Sequence, residues 1–367
     1  MSMIISGDNG ATFPTGRVQP DASNPYVMKN RIINGAMVID QRNAGASVTI
    51  PATGGQYTLD RWAAGASQAS KYSVQQSTTA PAGFINSLKV TSASAYSVGS
   101  GDLFYILQNI EGLNVADLAW GTANAKTVTL SFQVYSSLTG TFGGAIQNSA
   151  VNRSYPFSYT ISSANTWTTI SVTIAGDTSG TWLTTNGIGI SVLFGLGVGT
   201  TYSGTAGSWS GSALYSATGA TSVVGTNGAT FYITGVQLEV GSQATNFEWR
   251  PYGMELALCQ RYFQLVQAGN GRWTVTNATG CIIIPIYLGS MRTGPTAALQ
   301  GASVKIENYA GTDASVSSIT SIVNARPNGS AYILLVMTGG TGTTTLGYEC
   351  SLYSTSDTSG IALSAEL

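Results

Sequence analysis

Between residues 127 and 135 the chain alternates: Val128, Leu130, Phe132 and Val134 fall on one side, with Thr129, Ser131 and Gln133 on the other. A period of two puts successive side chains on opposite faces, the pattern of a half-buried strand. Alternating or apolar runs recur at 31–39, 87–90, 103–110, 168–174, 187–196 and 230–240, separated by clusters of Gly, Ser, Thr and Asn that suit turns. Seven or more strands with such turns predict an all-β fold, a jelly-roll-like β-sandwich over 28–250. A long segment between Gly197 and Gly228 carries Tyr202, Trp209 and Tyr215 among small polar residues and reads as a loop that is either functional or mobile.

Pro251 ends that pattern. The stretch 253–267 reads as a short helix, with Glu255 in its first turn, Gly269 after it, and Leu258, Tyr262 and Leu265 as an apolar stripe at helical spacing. A helix this short is marginal alone, so the stripe must pack on something. It acts as a connector over 251–269, and strand-like runs return over 270–367 as a smaller C-terminal β domain. Residues 1–27, with Ile4, Ile5 and Phe13 spaced by Gly, Pro and polar residues, are too sparse to close a core and read as a docking arm.

Composition narrows the function. Only 8% of the 367 residues are charged, against a globular norm of roughly 25%, and histidine is absent. Without His, the usual general base of Ser and Cys hydrolases and the commonest zinc ligand are missing. A formal net charge of −1 offers no basic footprint for nucleic acid. The amino terminus shows no signal-peptide pattern, and the apolar runs fall short of a membrane span, so no membrane insertion is expected. Cys259, Cys281 and Cys350 are too few and too scattered for a disulfide framework and read as buried free thiols.

Paired carboxylates remain the one catalytic option, since glycoside hydrolysis needs only an acid and a base or nucleophile. None of the Asp and Glu residues forms a recognisable pair, so each reads as a solvated or capping group and no enzyme is predicted. Asp60-Arg61 beside Trp62 reads as a partly buried ion pair. Aromatic residues in polar loops are the better candidates. Sugar rings present C–H faces that stack on Trp and Tyr, while Asn, Gln, Ser and Thr satisfy the hydroxyls. On that basis Trp182, Tyr202, Trp209 and Tyr215 are the candidate carbohydrate-binding residues, and Trp120 and Trp167 read as core anchors.

Several stretches resemble a family of bacteriophage tail and prophage fibre proteins that join a carbohydrate-binding-module-like sandwich to a small C-terminal β domain. They are Asn30-Arg-Ile-Ile-Asn-Gly-Ala-Met-Val-Ile-Asp-Gln-Arg42, Tyr57-Thr-Leu-Asp-Arg-Trp62, Phe231-Tyr-Ile-Thr-Gly-Val-Gln-Leu-Glu-Val-Gly241, Phe247-Glu-Trp-Arg-Pro-Tyr252 and Glu255-Leu-Ala-Leu-Cys-Gln-Arg-Tyr-Phe263. The opening Ile4-Ile-Ser-Gly and Phe13-Pro-Thr-Gly are similar to segments that attach such fibres to the virion, and Ser364-Ala-Glu-Leu367 to the end of a fibre tip. The resemblance implies a homotrimeric virion protein, made in the host cytoplasm, that binds host surface glycan. Ile4, Ile5 and Phe13 would then dock on other tail or baseplate proteins, Leu258, Tyr262 and Leu265 would line the trimer axis, and 270–367 would form a distal tip. A tail-associated glycan-degrading enzyme and a purely structural tail component are the alternatives. Related modules carry acidic residues before the final strand that help hold a structural calcium. Thr234-Gly235 stand there in this chain, a departure from that pattern, and no cofactor is expected.

Overall fold

The computed structural model describes residues 4–6, 10–12, 18–19, 28–52, 54–273, 281–287, 291–301, 304–308, 313–323, 330–338, 349–354 and 359–367; in the N-terminal strands and most of 268–358 it describes the backbone alone. Three short strands, β1 (Ile4–Ser6), β2 (Gly10–Thr12) and β3 (Val18–Gln19), pair antiparallel with one another. Ile4 and Ile5 therefore stand on β1, whereas Phe13 lies outside the described residues.

The sandwich is built from β4 (Val48–Thr49), β5 (Gln56–Tyr57), β6 (Ala63–Ala66), β7 (Tyr72–Ser77), β8 (Ser87–Ser92), β9 (Leu103–Glu111), β10 (Val128–Ser136), β11 (Gly140–Gln147), β12 (Ser154–Ile161), β13 (Thr168–Ile174), β14 (Ile188–Val198), β15 (Ser203–Gly204), β16 (Ser216–Ala217) and β17 (Thr230–Val240). One six-stranded sheet runs β13-β10-β17-β8-β7-β4 and a second runs β12-β11-β14-β9-β6-β5, while β15 and β16 form a small parallel pair. The apolar face of β10 does what its alternation predicts: Val128, Leu130, Phe132 and Val134 are buried between the sheets with Phe104, Phe142, Phe194 and Phe231. Phe132 meets Phe194 edge to face, centroids 5.0 Å apart. Such offset pairs add about 0.5–1.5 kcal/mol beyond the area they bury.

The 31–39 run is a correction to the predicted strands. It is buried but not a strand: Asn34 and Met37 take left-handed φ values of 57° and 58°, and side chains satisfy the backbone. Gln108 Oε1 accepts from Ile33 N at 2.8 Å and its Nε2 donates to Ile33 O at 2.8 Å. Asn34 Nδ2 donates to the carbonyls of Ile39 (2.8 Å) and Asp60 (3.0 Å), and Trp62 Nε1 donates to Asn34 O at 3.1 Å. A buried chain must pair its amides, and here Asn and Gln side chains add to two backbone bonds with β17, from Arg31 N to Leu238 O and from Val236 N to Gly35 O, in place of a regular ladder.

After the sandwich come α1 (Tyr252–Gln260), β18 (Phe263–Val266), β19 (Ala268–Trp273), β20 (Cys281–Tyr287), β21 (Thr296–Gln300), β22 (Val304–Asn308), β23 (Asp313–Val323), β24 (Ser330–Thr338), β25 (Glu349–Ser354) and β26 (Gly360–Ser364). Six strands close a barrel in the order β19-β20-β24-β23-β22-β25, and β26 pairs between β18 and β21. The helix is shorter than its predicted span. Phe263-Gln-Leu-Val leaves it as a strand, with Leu265 opposite Ala362. Leu258, Tyr262 and Leu265 therefore form no single helical stripe. Tyr262 is fully buried within the chain, and Leu258 packs at half-burial on Ile33, Ile39, Cys259 and Tyr262. Cys259 is a buried free thiol whose pKa burial pushes up, while Cys281 and Cys350 stand on β20 and β25. Residues 364–367 return to the sandwich instead of ending at a distal tip, as the bonds of Leu367 to Tyr57 and Asn109 show. Among the described residues no helix is long and apolar enough to cross a membrane.

Candidate functional site

The segment that follows β17 alternates like a strand without joining a sheet. Phe247 and Trp249 turn one way and Glu248 and Arg250 the other, until Pro251 caps α1. Phe247, Trp249 and Phe84 form an aromatic trio with centroids 4.8–5.2 Å apart. Two features bring Phe84 there. Thr234 Oγ1 donates to Asn86 O at 2.8 Å, tying the loop to β17. The register of β17 against β10 slips between Ser131 and Gln133, and at that bulge Gly235 takes φ 61°. Thr234 and Gly235 lie inside β17, not ahead of it, and hold the loop that carries Phe84.

Beside the trio is a cavity of about 220 Å³. Its floor is Gly35, Ala36 and Val38, and its rim is Ile85, Phe247, Trp249 and Tyr252. The rim is open to water: Ile85 is 70%, Tyr252 63% and Trp249 55% exposed. Large apolar groups gathered in the open mark a binding surface more often than single exposed residues do. The volume lies below the roughly 300–1,000 Å³ of drug-sized ligand pockets, which suits one ring-sized unit.

Asn30, Glu248, Arg250 and Glu255 supply the polar wall. Arg250 lies between the two carboxylates, 3.1 Å from Glu248 and 3.3 Å from Glu255, and also donates to the carbonyls of Ile32 (3.1 Å) and Asn30. Glu248 accepts from the backbone N–H groups of Lys29 (3.0 Å) and Asn30 (3.1 Å), and Glu255 from that of Asn34. The two acids fasten the 29–34 segment to the site. With a guanidinium and backbone donors on each, the two carboxylates are fixed in place on one wall of the cavity.

The four aromatic residues singled out from the sequence lie elsewhere, in two groups. Trp182 and Trp209 meet Trp120 in an edge-to-face trio, with centroids 4.7–5.4 Å apart. Each indole N–H is bonded within the chain: Trp120 to Lys126 O at 2.8 Å, Trp182 to Ser179 O at 3.2 Å and Trp209 to Ala175 O at 2.8 Å. Trp182 is only 9% exposed, so its ring offers little to a ligand, and Trp209 is half-buried. Tyr202 and Tyr215 pack on each other (5.8 Å), and Tyr215 on Tyr105 (5.2 Å), over the outer face of the second sheet. These contacts fasten the long loop to the sandwich. The Asp60–Arg61 ion pair is also corrected: Asp60 accepts from the backbone N–H and side-chain amide of Gln41, while Arg61 pairs with Glu366. The one signal for the cavity in the sequence was the Phe247–Tyr252 segment, whose aromatic residues do not by themselves distinguish rim from core.

No protein-family model and no curated protein matches this sequence. Among solved structures, the chain is similar to the enzymatically active domain of tailspike protein 4 of bacteriophage CBA120, with a TM-score of 0.31 and 11% identity over 58% of this chain and 21% of that one. It is similar to a family 11 carbohydrate-binding module from Clostridium thermocellum in complex with a β-1,3-1,4-mixed-linked tetrasaccharide, with a TM-score of 0.28 and 14% identity over 55% of this chain and 100% of that one. A third is the CBM22-1 xylan-binding domain of Xyn10C from Paenibacillus barcinonensis, with a TM-score of 0.26 and 8% identity over 55% and 99% of the two chains.

Proposed function

We propose that this chain is a non-enzymatic attachment protein of a bacteriophage tail fibre, and that it binds host surface glycan at the Trp249–Tyr252 cavity. The observation that carries the glycan reading is the exposed indole of Trp249 and phenol of Tyr252 at the mouth of a ring-sized cavity with fixed polar groups on one wall. Apolar sugar faces stack on such rings, and hydroxyls reach Glu248, Arg250 and Asn30. The virion setting rests on the sequence resemblance, as do docking of residues 1–27 on a tail or baseplate protein and assembly as a homotrimer. Of the three residues assigned to the trimer axis, Tyr262 is fully buried within the chain, and Leu258 and Leu265, partly exposed, are the two left to face one. Three copies of one weak site would give firm attachment by avidity.

The test is to incubate the purified protein with host surface polysaccharide and follow both retention and new reducing ends. Saturable retention that Trp249→Ala abolishes, with no release of reducing ends, is the expected result. Sustained release would overturn the non-enzymatic reading, and retention unchanged by Trp249→Ala would remove the sugar from this cavity.

A further inference from the structure

Two arginines, Arg61 fully buried and Arg42 largely so, converge on one carboxylate at the edge of the second sheet. Glu366 lies 2.6 Å from Arg42 Nη2 and is also paired with Arg61 Nη1. Both guanidiniums are fixed by groups outside residues 365–367. Arg61, 1% exposed, lies 3.5 Å above the ring of Tyr262 and donates to Asn109 O, and Arg42 lies 3.8 Å above Phe263 and 5.0 Å above Tyr57. Arg61 also holds a left-handed φ of 69°, a costly conformation for a non-glycine residue. A buried guanidinium without its partner is strongly unfavourable, so these residues make a standing demand for a carboxylate.

The surrounding groups match an extended peptide as well as its acid. Ala365 N donates to Tyr262 O at 2.8 Å, and Arg292 donates to the carbonyls of Ala365 and Glu366, each at 2.8 Å. Tyr57 Oη (2.9 Å) and Asn109 Nδ2 (3.2 Å) donate to Leu367 O, and the Leu367 side chain packs on Ile33, Ile39, Cys259 and Tyr262. Backbone, carboxylate and apolar side chain each have a receptor, and most of those receptors lie more than 250 residues away along the chain.

We infer that the sandwich, together with the 259–263 segment and Arg292, forms a peptide-recognition site, specific for an extended segment with a glutamate side chain followed by an apolar one, which residues 365–367 fill in this chain. The site holds β26, and with it the C-terminal module, against the sandwich. Emptied, it takes the same peptide in trans.

The test uses the chain lacking residues 365–367 and a fluorescein-labelled peptide Leu-Ser-Ala-Glu-Leu, read by fluorescence anisotropy, with far-UV circular dichroism to verify folding. The truncated chain is expected to bind the peptide saturably, at least tenfold tighter than the full chain does. Changing Glu to Gln in the peptide is expected to weaken binding at least tenfold. If the truncation does not fold, full-length Glu366→Ala decides the matter, again with at least tenfold tighter binding than wild type. A folded variant that binds no better than wild type, or binds both peptides equally, overturns the inference.

Discussion

The ring of Phe84 lies where any side chain at Gly235 would begin: a Cβ on residue 235 would stand 2.8 Å from Phe84 Cζ, at a backbone φ of 61°. This contact sets the aromatic trio, because Phe84 supports Trp249 from 4.8 Å. Gly235→Ala must strain the bulge and displace the ring. A loss of about 1–3 kcal/mol is expected in urea unfolding, together with weaker glycan retention.

Arg61→Met removes the guanidinium between Tyr262 and Glu366. Glu366 would be left beside Arg42 alone, 6% exposed. Breaking one side of a buried pair costs about 3–5 kcal/mol, and chemical denaturation should show a loss of that order. The double variant Arg61→Met/Glu366→Gln should be less destabilised than the sum of its single changes, because the two residues share one interaction.

Burial pushes the Asp60 carboxyl from its ordinary 3.8 up to about 6, against the opposing Arg42 charge and the hydrogen bonds from Gln41. Its pKa rises on folding, so between pH 6 and 4 the folded chain holds the proton that the unfolded chain releases. The contribution of Asp60 to stability therefore increases as pH falls through about 6, and levels off below 3.8. Measured from pH 7 to pH 5, wild type should gain on Asp60→Asn by on the order of 1–2 kcal/mol. A difference that stays flat across this range contradicts the assignment.

Trp209 fastens the long loop through Trp120, Trp182 and Tyr155. Trp209→Ala should lower stability by about 2–3 kcal/mol, less than the roughly 3–5 of a fully buried Trp, and shift the thermal midpoint without loss of glycan binding. Loss of binding with stability intact would return the sugar to the loop aromatics.

The sandwich was legible wherever burial and backbone pairing coincide. β13 and β17 have the bounds that their patterns predict: β13 alternates between partly buried and exposed positions, and β17 is buried at every position from Phe231 to Glu239. The 31–39 run carries the same apolar signal yet is no strand, since hydrophobic pattern reports burial and not which group satisfies the amides. Asn34, within the run, and Gln108, on β9, do so here. β11 escaped notice for the opposite reason: Gly143 and Gly144 are buried by close approach of Ser216 and the Leu193 carbonyl, so it shows no alternation. The predicted helix ran too far because Leu258, Tyr262 and Leu265 fit helical spacing, while pairing of Phe263–Val266 with β26 decided the backbone. The cavity was hidden because its rim joins Ile85 to Trp249 and Tyr252 only in the folded chain. Trp182 and Trp209, equally aromatic and set in equally polar loops, face each other.

Titration of host surface polysaccharide into wild type and Trp249→Ala, followed by calorimetry, tests the central claim most directly. Trp249 is half in solvent, so its removal should leave the thermal midpoint within a few degrees while affinity falls at least tenfold. Equal affinity in the two proteins would contradict the account.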